Sequence, residues 1–122
     1  MSTQPTIASA YTLTPIQTDP ARRFGPAFVD TLVLTTGAHA ALGGGLAAQL
    51  AALALLGRHF RGDWGRCCDG DAALSDLAAR DGGSTMGIYD WGGTTLWLIV
   101  DAVYDEATWR RAAATVLLPS EY

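Results

Sequence analysis

Residues 45–65 read GLAAQLAALALLGRHFRGDWG, and this stretch decides much of the fold. Leucines recur at helical spacing from Leu46 to Leu56, and the alanines between them have high helix propensity. We therefore predict a buried helix from about Gly45 to Arg61. Gly62 can adopt the left-handed conformation that often ends a helix. Basic side chains in the last turn interact favourably with the negative end of the helix dipole: Arg58, His59 and Arg61.

Strand and helix signals extend outward from this helix in both directions. Ala27 to Thr35 is rich in β-branched and apolar residues, which predicts a first strand. After the helix, Asp69 or Asp71 can cap a second, shorter helix that ends at Gly82-Gly83. We predict that this second helix places two leucines on its inner side, Leu74 and Leu77.

The last third of the chain predicts a hairpin and a final strand. Ser84 to Tyr89 and Thr94 to Asp101 are β-rich, and the residues between them supply turn chemistry. Tyr104 to Ala113 predicts a loop or a helical turn. Ala114 to Leu118 is a last strand, which Pro119 ends.

These elements predict one α+β domain over residues 26–122, with two helices packed on a small antiparallel sheet of three to four strands. Residues 1–25 contain Pro5, Pro15 and Pro20 among polar residues and predict a flexible or extended N-terminal arm. The uncharged stretch from Ala38 to Leu56 is long, but its glycines, alanines and Gln49 argue against a membrane span.

Composition limits the functions that the chain can have. It has 122 residues and a net charge of −4, and all eight basic residues are arginine. General binding to a nucleic-acid backbone is disfavoured, because that binding depends on excess positive charge. The adjacent Cys67 and Cys68 predict reduced thiols, and no signal-peptide pattern is present, so we expect a cytoplasmic protein.

Several blocks of sequence together resemble a known family. They are Leu32-Val33-x-Thr35-x-Gly37-Ala38, Arg58-His59-x-x-Gly62-Asp63-Trp64-Gly65, Gly82-Gly83 followed by Tyr89, the strand with Trp97-Leu98-Ile99, and Thr115-Val116-Leu117-Leu118-Pro119-x-Glu121-Tyr122. In their order and spacing they are similar to short "plasmid-related" proteins of bacterial mobile elements, over residues 30 to 122. The chain departs from that pattern at Ala102 to Ala113, where a longer segment replaces a short acidic and arginine-containing turn.

The resemblance implies an accessory protein of a mobile genetic element, on a plasmid or phage, and names no reaction. With the small size and acidic surface, it leads to our first hypothesis, a non-enzymatic protein that binds a protein partner. By association, that partner is a nucleic-acid-targeting defence complex, which would make the chain an inhibitor of restriction or CRISPR interference (anti-CRISPR).

The second hypothesis is a small metal-independent ribonuclease or toxin. His59 would act as general acid or base, Arg58 and Arg61 would stabilise phosphate charge, and Tyr89 or Glu121 would complete the site. The alternative interpretation is that these side chains only complement a helix end. Gly62, Asp63 and Trp64 would then form a structural turn, with Tyr122 packed beneath the sheet or exposed as a binding tail.

Aromatic and arginine side chains near the C-terminal half are the candidate partner-binding residues, since these residue types anchor protein interfaces. They are Trp91, Tyr104, Trp109, Arg110 and Arg111. Completion of an alanine-rich core is the other interpretation. Exposed strand edges also predict a homodimer. We expect no metal and no cofactor, because neither His39 with the cysteines nor Gly43-Gly44-Gly45 forms a known site.

Overall fold

The structure of the chain is a computed structural model, which describes residues 6–13 and 23–122. These residues form six strands and three α-helices. The strands are β1 (Ile7–Thr12), β2 (Val29–Thr35), β3 (Thr85–Trp91), β4 (Thr94–Val100), β5 (Val103–Asp105) and β6 (Arg110–Leu117). The helices are α1 (Thr36–Ala41), α2 (Gly45–Phe60) and α3 (Asp69–Asp81).

All six strands belong to one mixed sheet with the order β1-β2-β6-β4-β3, and β5 pairs with the first residues of β6. The central pair β2 and β6 is parallel, and the other pairs are antiparallel. Because β2 and β6 lie far apart in sequence, with Leu32 paired with Ala114, their pairing joins the N-terminal and C-terminal parts of the domain. The sheet is therefore held at its centre by a long-range contact.

The core lies between α2 and one face of the sheet. Small residues of α2 allow the helix to approach the strands, with Leu55 and Leu56 filling the space between them. The facing strand residues alternate along each strand and are fully buried: Leu32, Leu34, Leu96, Leu98, Ala114 and Val116. The predicted helix is thus confirmed, but it is buried on one side only, since Leu46, Leu50 and Leu53 are exposed.

The predicted α+β class is confirmed, and four details were wrong. The sheet has six strands in place of three or four, it is mixed and not purely antiparallel, and α1 adds a third helix. Tyr104 to Ala113 contributes β5 and the start of β6, so it is largely strand where we predicted a loop or a helical turn.

Part of the predicted N-terminal arm is a strand. Ile7–Thr12 forms β1 and pairs with β2 at the side of the sheet. Tyr11, Leu13 and Phe24, all within that arm, pack partly buried against the core. The remaining arm residues, 1–5 and 14–22, lie outside the described residues. Within residues 6–13 and 23–122, no helix has the length and apolar character needed to cross a membrane.

The β3–β4 hairpin forms as predicted, with a two-residue turn. Gly92 and Gly93 have φ values of 55° and 82°, as the tightest hairpin turns require. Asp90 and Trp91, which we assigned to the turn, belong to β3.

The outer edge of β3 is covered by the preceding chain. Ser75 of α3 donates to the carbonyl oxygen of Met86 and accepts from its amide, both at 3.1 Å. To make these bonds α3 turns Ser75 inward, which leaves Leu74 and Leu77 exposed. Our prediction that these two leucines face inward was therefore wrong.

Candidate functional sites

The charged motif after α2 is a tight turn held by Asp63. The Nε–H of Arg58 donates to Oδ2 of Asp63 at 2.8 Å, and the amide of Gly65 donates to Oδ1 at 3.0 Å. The hydrogen bond from Arg58, and to a lesser extent the one from the Gly65 amide, holds the pKa of Asp63 below its usual range. Gly62, with φ 82°, ends the helix in the left-handed conformation. These contacts agree with the structural interpretation, in which Gly62 and Asp63 form a tight turn.

The same motif attaches α2 to the edge of the sheet and to α3. The carbonyl oxygen of Trp64 accepts from the amide of Ile88 at 3.0 Å, and the amide of Arg66 donates to the carbonyl oxygen of Ile88 at 2.7 Å. The indole N–H of Trp64 donates to Asp76 of α3 at 2.8 Å. Trp64 thus links three elements through backbone and side-chain bonds.

His59 lies inside the domain with no exposed surface. Its Nδ1 lies 2.8 Å from the hydroxyl of Tyr89, and its Nε2 lies 2.8 Å from the hydroxyl of Thr85. Tyr89 donates its own proton to the carbonyl oxygen of Asp63 at 2.8 Å. The Tyr89 oxygen must therefore accept from Nδ1–H. In a neutral ring Nε2 then accepts from the hydroxyl of Thr85.

The electrostatics agree with a neutral ring. Burial, together with the positive charge of Arg111, lowers the pKa of His59 from 6.5 to about 3. Burial also raises the pKa of Tyr89. A general acid or base must exchange protons with a substrate near neutral pH. His59 and Tyr89 have neither the access nor the pKa for that exchange.

The other residues of the predicted ribonuclease site do not join His59. Arg58 is paired with Asp63 and lies over the ring of Tyr89, 4.9 Å from its centroid. Arg61 is exposed at the helix end. Glu121 binds elsewhere, at the start of α1. Of the predicted site residues, the structure brings together His59 and Tyr89, and both are buried in the core.

Glu121 fastens the C-terminal turn to the end of β2. It accepts from the hydroxyl of Thr35 at 2.6 Å, from the amide of Gly37 at 3.0 Å and from the amide of Leu118 at 2.8 Å. Burial raises the pKa of Glu121, but these hydrogen bonds together lower it more, so the net pKa is below its usual value. Tyr122 is largely exposed, with its ring edge-on to Trp97 at a centroid distance of 5.2 Å.

Three of the five predicted partner-binding residues meet at the turn between β5 and β6, which we call the aromatic turn: Tyr104, Trp109 and Arg110. Tyr104 is 60% exposed, and its hydroxyl donates to Asp30 at 2.6 Å. Arg110 forms a salt bridge with the same carboxylate. The hydrogen bonds from Tyr104 and Arg110 lower the pKa of Asp30. The guanidinium of Arg23 lies 5.4 Å above the Trp109 ring.

Trp109 has an unusual backbone conformation. Its φ is 59°, in the left-handed region that bulky residues rarely adopt. Such a residue costs on the order of 1–3 kcal/mol and persists only where its surroundings hold it. Here the amide of Trp109 donates to the carbonyl oxygen of Asp105 at 2.7 Å. Within residues 6–13 and 23–122, the buried indole Nε1 has no hydrogen-bond acceptor. The turn therefore keeps a large aromatic ring where glycine would be less strained.

Arg111 and Trp91 do not belong to the aromatic turn. Arg111 is fully buried, and it donates to the carbonyl oxygens of Gly83 at 2.6 Å and Asp101 at 3.0 Å. Because no surface of Arg111 is exposed, it cannot contact a partner in this structure, contrary to our prediction. Trp91 is exposed at the end of β3, beside the hairpin turn.

Sequence reasoning missed one surface, the exposed leucines of α2. Leu46, Leu50 and Leu53 are 68%, 58% and 41% exposed. The signal was present, because α2 carries more leucines than a single buried stripe needs. We name Leu46, Leu50 and Leu53 the leucine face.

Comparison of the chain with protein family models, with curated proteins and with solved structures finds no match. The similarity to plasmid-related proteins stays a prediction.

Proposed function

We propose that the chain is a non-enzymatic protein that acts by binding a protein partner through the aromatic turn. The observation that carries this proposal is Trp109, a strained aromatic residue in the same turn as the exposed Tyr104, with its ring next to Gly82. Strain of this kind concentrates at binding and catalytic sites, where the position of a side chain matters more than its conformational cost.

The chemistry of the aromatic turn supports a protein ligand. Tyrosine, tryptophan and arginine are the residue types most enriched among side chains that dominate binding energy. Asp30 fixes Tyr104 and Arg110 through one carboxylate, so both side chains lose little further freedom on binding. By contrast, His59 and Tyr89 of the ribonuclease hypothesis are engaged inside the core. Binding is therefore the better supported of the two classes.

The partner class follows from the resemblance and the charge. We propose a nucleic-acid-targeting defence complex of the host, such as a restriction or CRISPR enzyme, as the protein that the chain inhibits. The net charge of −4 suits an approach to a basic nucleic-acid groove.

A capture experiment tests this function. Tagged full-length chain would be used to recover proteins from a bacterial host lysate, beside a variant with Tyr104→Ala and Trp109→Gly. We expect one specific partner with the wild type and at least about tenfold weaker binding by the variant, equivalent to about 1.4 kcal/mol. The glycine at position 109 removes the aromatic ring and relieves the backbone strain, so the variant should fold.

Trp91→Ala is the matched control, because Trp91 is an exposed tryptophan on another part of the surface. It should retain the partner. The recovered protein would then be assayed for nucleic-acid cleavage with and without the chain, and inhibition is expected. Equal capture by all three proteins would place binding away from the aromatic turn, and no specific capture by the wild type would overturn the proposal.

A further inference from the structure

The leucine face forms a continuous uncharged ridge on the outside of α2. Its residues follow the i, i+4, i+7 spacing of one helix face, and Ala47 and Ala54 beside them are also exposed. No charged residue occurs between Asp30 and Arg58. An exposed helix in water normally carries its polar residues on this side. The leucine face therefore has the composition of a helix that packs against another apolar surface.

A groove next to the ridge enlarges this apolar surface. It has a volume of about 470 Å³ and lies between α2 and β1. Leu53 belongs to both the ridge and the groove wall, and the other large apolar side chains that line the groove are Tyr11, Leu13, Leu32 and Leu56. In the part of the chain that the structure describes, residues 6–13 and 23–122, ridge and groove thus present a projecting and a receiving surface side by side.

We infer that a second copy of this chain covers the leucine face, with the α2 helices of the two copies packed antiparallel about a twofold axis. In a twofold dimer the same surface serves both partners, so it must be complementary to itself. The ridge and the groove meet that requirement, because leucines of one copy can enter the groove of the other. Ala47 and Ala54 leave room for the two helices to approach closely.

Charge favours a second copy over an acidic or basic partner. The chain carries a net charge of −4, so two copies repel each other unless they meet through uncharged surface. The leucine face is such a surface. Four of the acidic residues lie together on α3, which contributes nothing to the ridge or the groove: Asp69, Asp71, Asp76 and Asp81.

The size of the surface requires the groove as well as the helix. α2 has 16 residues, and a helix of that length is about 24 Å long and about 10 Å across with its side chains, or roughly 240 Å² as a strip. The groove and β1 beside it must therefore supply most of the roughly 800 Å² per partner that a stable interface buries. The dimer surface shares no residue with the aromatic turn, so this inference does not rest on the proposed function.

Light scattering after size-exclusion chromatography, over a wide dilution series, tests the dimer. The wild-type chain should show twice its mass of 12.8 kDa at the higher concentrations. Leu50→Glu should give the monomer mass throughout, because two buried carboxylates would meet near the twofold axis. Leu74→Glu is the matched control and should remain a dimer, since Leu74 is an equally exposed leucine, at 65%, on α3.

Cross-linking locates the contact without depending on loss of association. In a background with Cys67→Ser and Cys68→Ser, Leu50→Cys should form a disulfide between copies on mild oxidation, and Leu74→Cys should not. Thermal unfolding followed by circular dichroism would verify that each variant is folded. A wild-type chain that is monomeric at every concentration, or a folded Leu50→Glu variant that still forms the dimer, would overturn the inference.

Discussion

His59 shows how one side chain can look catalytic in sequence and be structural in the fold. It follows an arginine and precedes another two residues later, yet its ring hydrogen bonds to Tyr89 and Thr85 in the core. A buried polar group that is fully hydrogen bonded contributes to a unique packing arrangement. The sequence predicts that His59 ends the helix near basic residues. It cannot show that the ring turns inward, because that depends on strand β3, many residues away.

The lowered pKa of His59 predicts a pH-dependent stability. The unfolded chain binds a proton on this residue near pH 6.5, whereas the folded chain binds it only near pH 3. The stabilisation is therefore complete above the unfolded pKa and is lost as the pH falls. Below about pH 6.5, the free energy of unfolding should decrease by up to about 1.4 kcal/mol per pH unit from this group.

Urea unfolding at several pH values between about 7 and 5 would measure this slope, since most carboxylates titrate below that window. The amide of His59→Gln does not titrate, so that variant should lose most of the slope. His39→Gln is the matched control, since His39 is the other histidine of the chain and is only half-buried. An unchanged slope in His59→Gln would contradict the assignment of a neutral buried ring.

At the scale of elements, three of the sequence blocks described above make contacts between elements. The block at Arg58 to Gly65 attaches α2 to β3 and α3. The block that contains Thr35 to Ala38 is hydrogen bonded to Glu121 of the C-terminal block. These three blocks thus have a structural reason for their residue types, independent of any reaction.

Most elements with a local sequence signal were predicted, whereas elements that depend on long-range pairing were missed. The hairpin, α2, α3 and β2 have strong turn, cap or periodicity signals within a few residues. β1 was missed because it lies among prolines and small polar residues, and its pairing with β2 supplies its stability. The start of β6 was missed because two adjacent arginines, Arg110 and Arg111, indicate a turn in the sequence. Their partners in the structure, Asp30 and backbone carbonyl oxygens, come from distant segments.

The sequence singled out the residues of the aromatic turn by their types, and their role in binding stays a prediction. The residue types of Tyr104, Trp109 and Arg110 indicated an interface, but sequence could not exclude Arg111, whose burial depends on backbone carbonyl groups from two other segments. The positive φ of Trp109 has no sequence signal, because glycine or asparagine is the residue expected there.

The contact of the Asp63 turn with β3 predicts unequal effects of two glycine substitutions. Gly62 and Gly65 have similar φ values of 82° and 68°, but only Gly65 lies against other backbone. A Cβ at Gly65 would overlap the carbonyl oxygen of Ile88, whereas a Cβ at Gly62 meets nothing. Gly62→Ala should cost about 1–2 kcal/mol for the left-handed conformation alone.

Gly65→Ala should cost about 1–3 kcal/mol more than Gly62→Ala, because the turn must also move away from β3. Chemical denaturation of both variants would measure the difference in the free energy of unfolding. Similar losses for the two variants would mean that the turn is not fixed to the strand edge as described.

At the scale of the whole molecule, charge and apolar surface are segregated. The helical region from α1 to the middle of α2 is uncharged, and α3 and the β5–β6 region carry many of the acidic residues. This separation allows one molecule to have two independent binding surfaces. The leucine face would join two copies, and the aromatic turn of each copy would remain open to a partner.

The segregation of charge from the leucine face predicts how the affinity of the dimer depends on salt. Each copy carries a net charge of −4, so the two copies repel each other at low salt. The Debye length, over which such charges act, falls from about 30 Å at 0.01 M salt to about 10 Å at 0.1 M. Added salt removes that repulsion, and the leucine face contains no ion pair that salt would weaken. The dissociation constant measured by sedimentation equilibrium should therefore decrease modestly as sodium chloride rises. An increase would show that oppositely charged side chains hold the copies together, which the leucine face cannot provide, and Leu50→Glu would then leave the association intact.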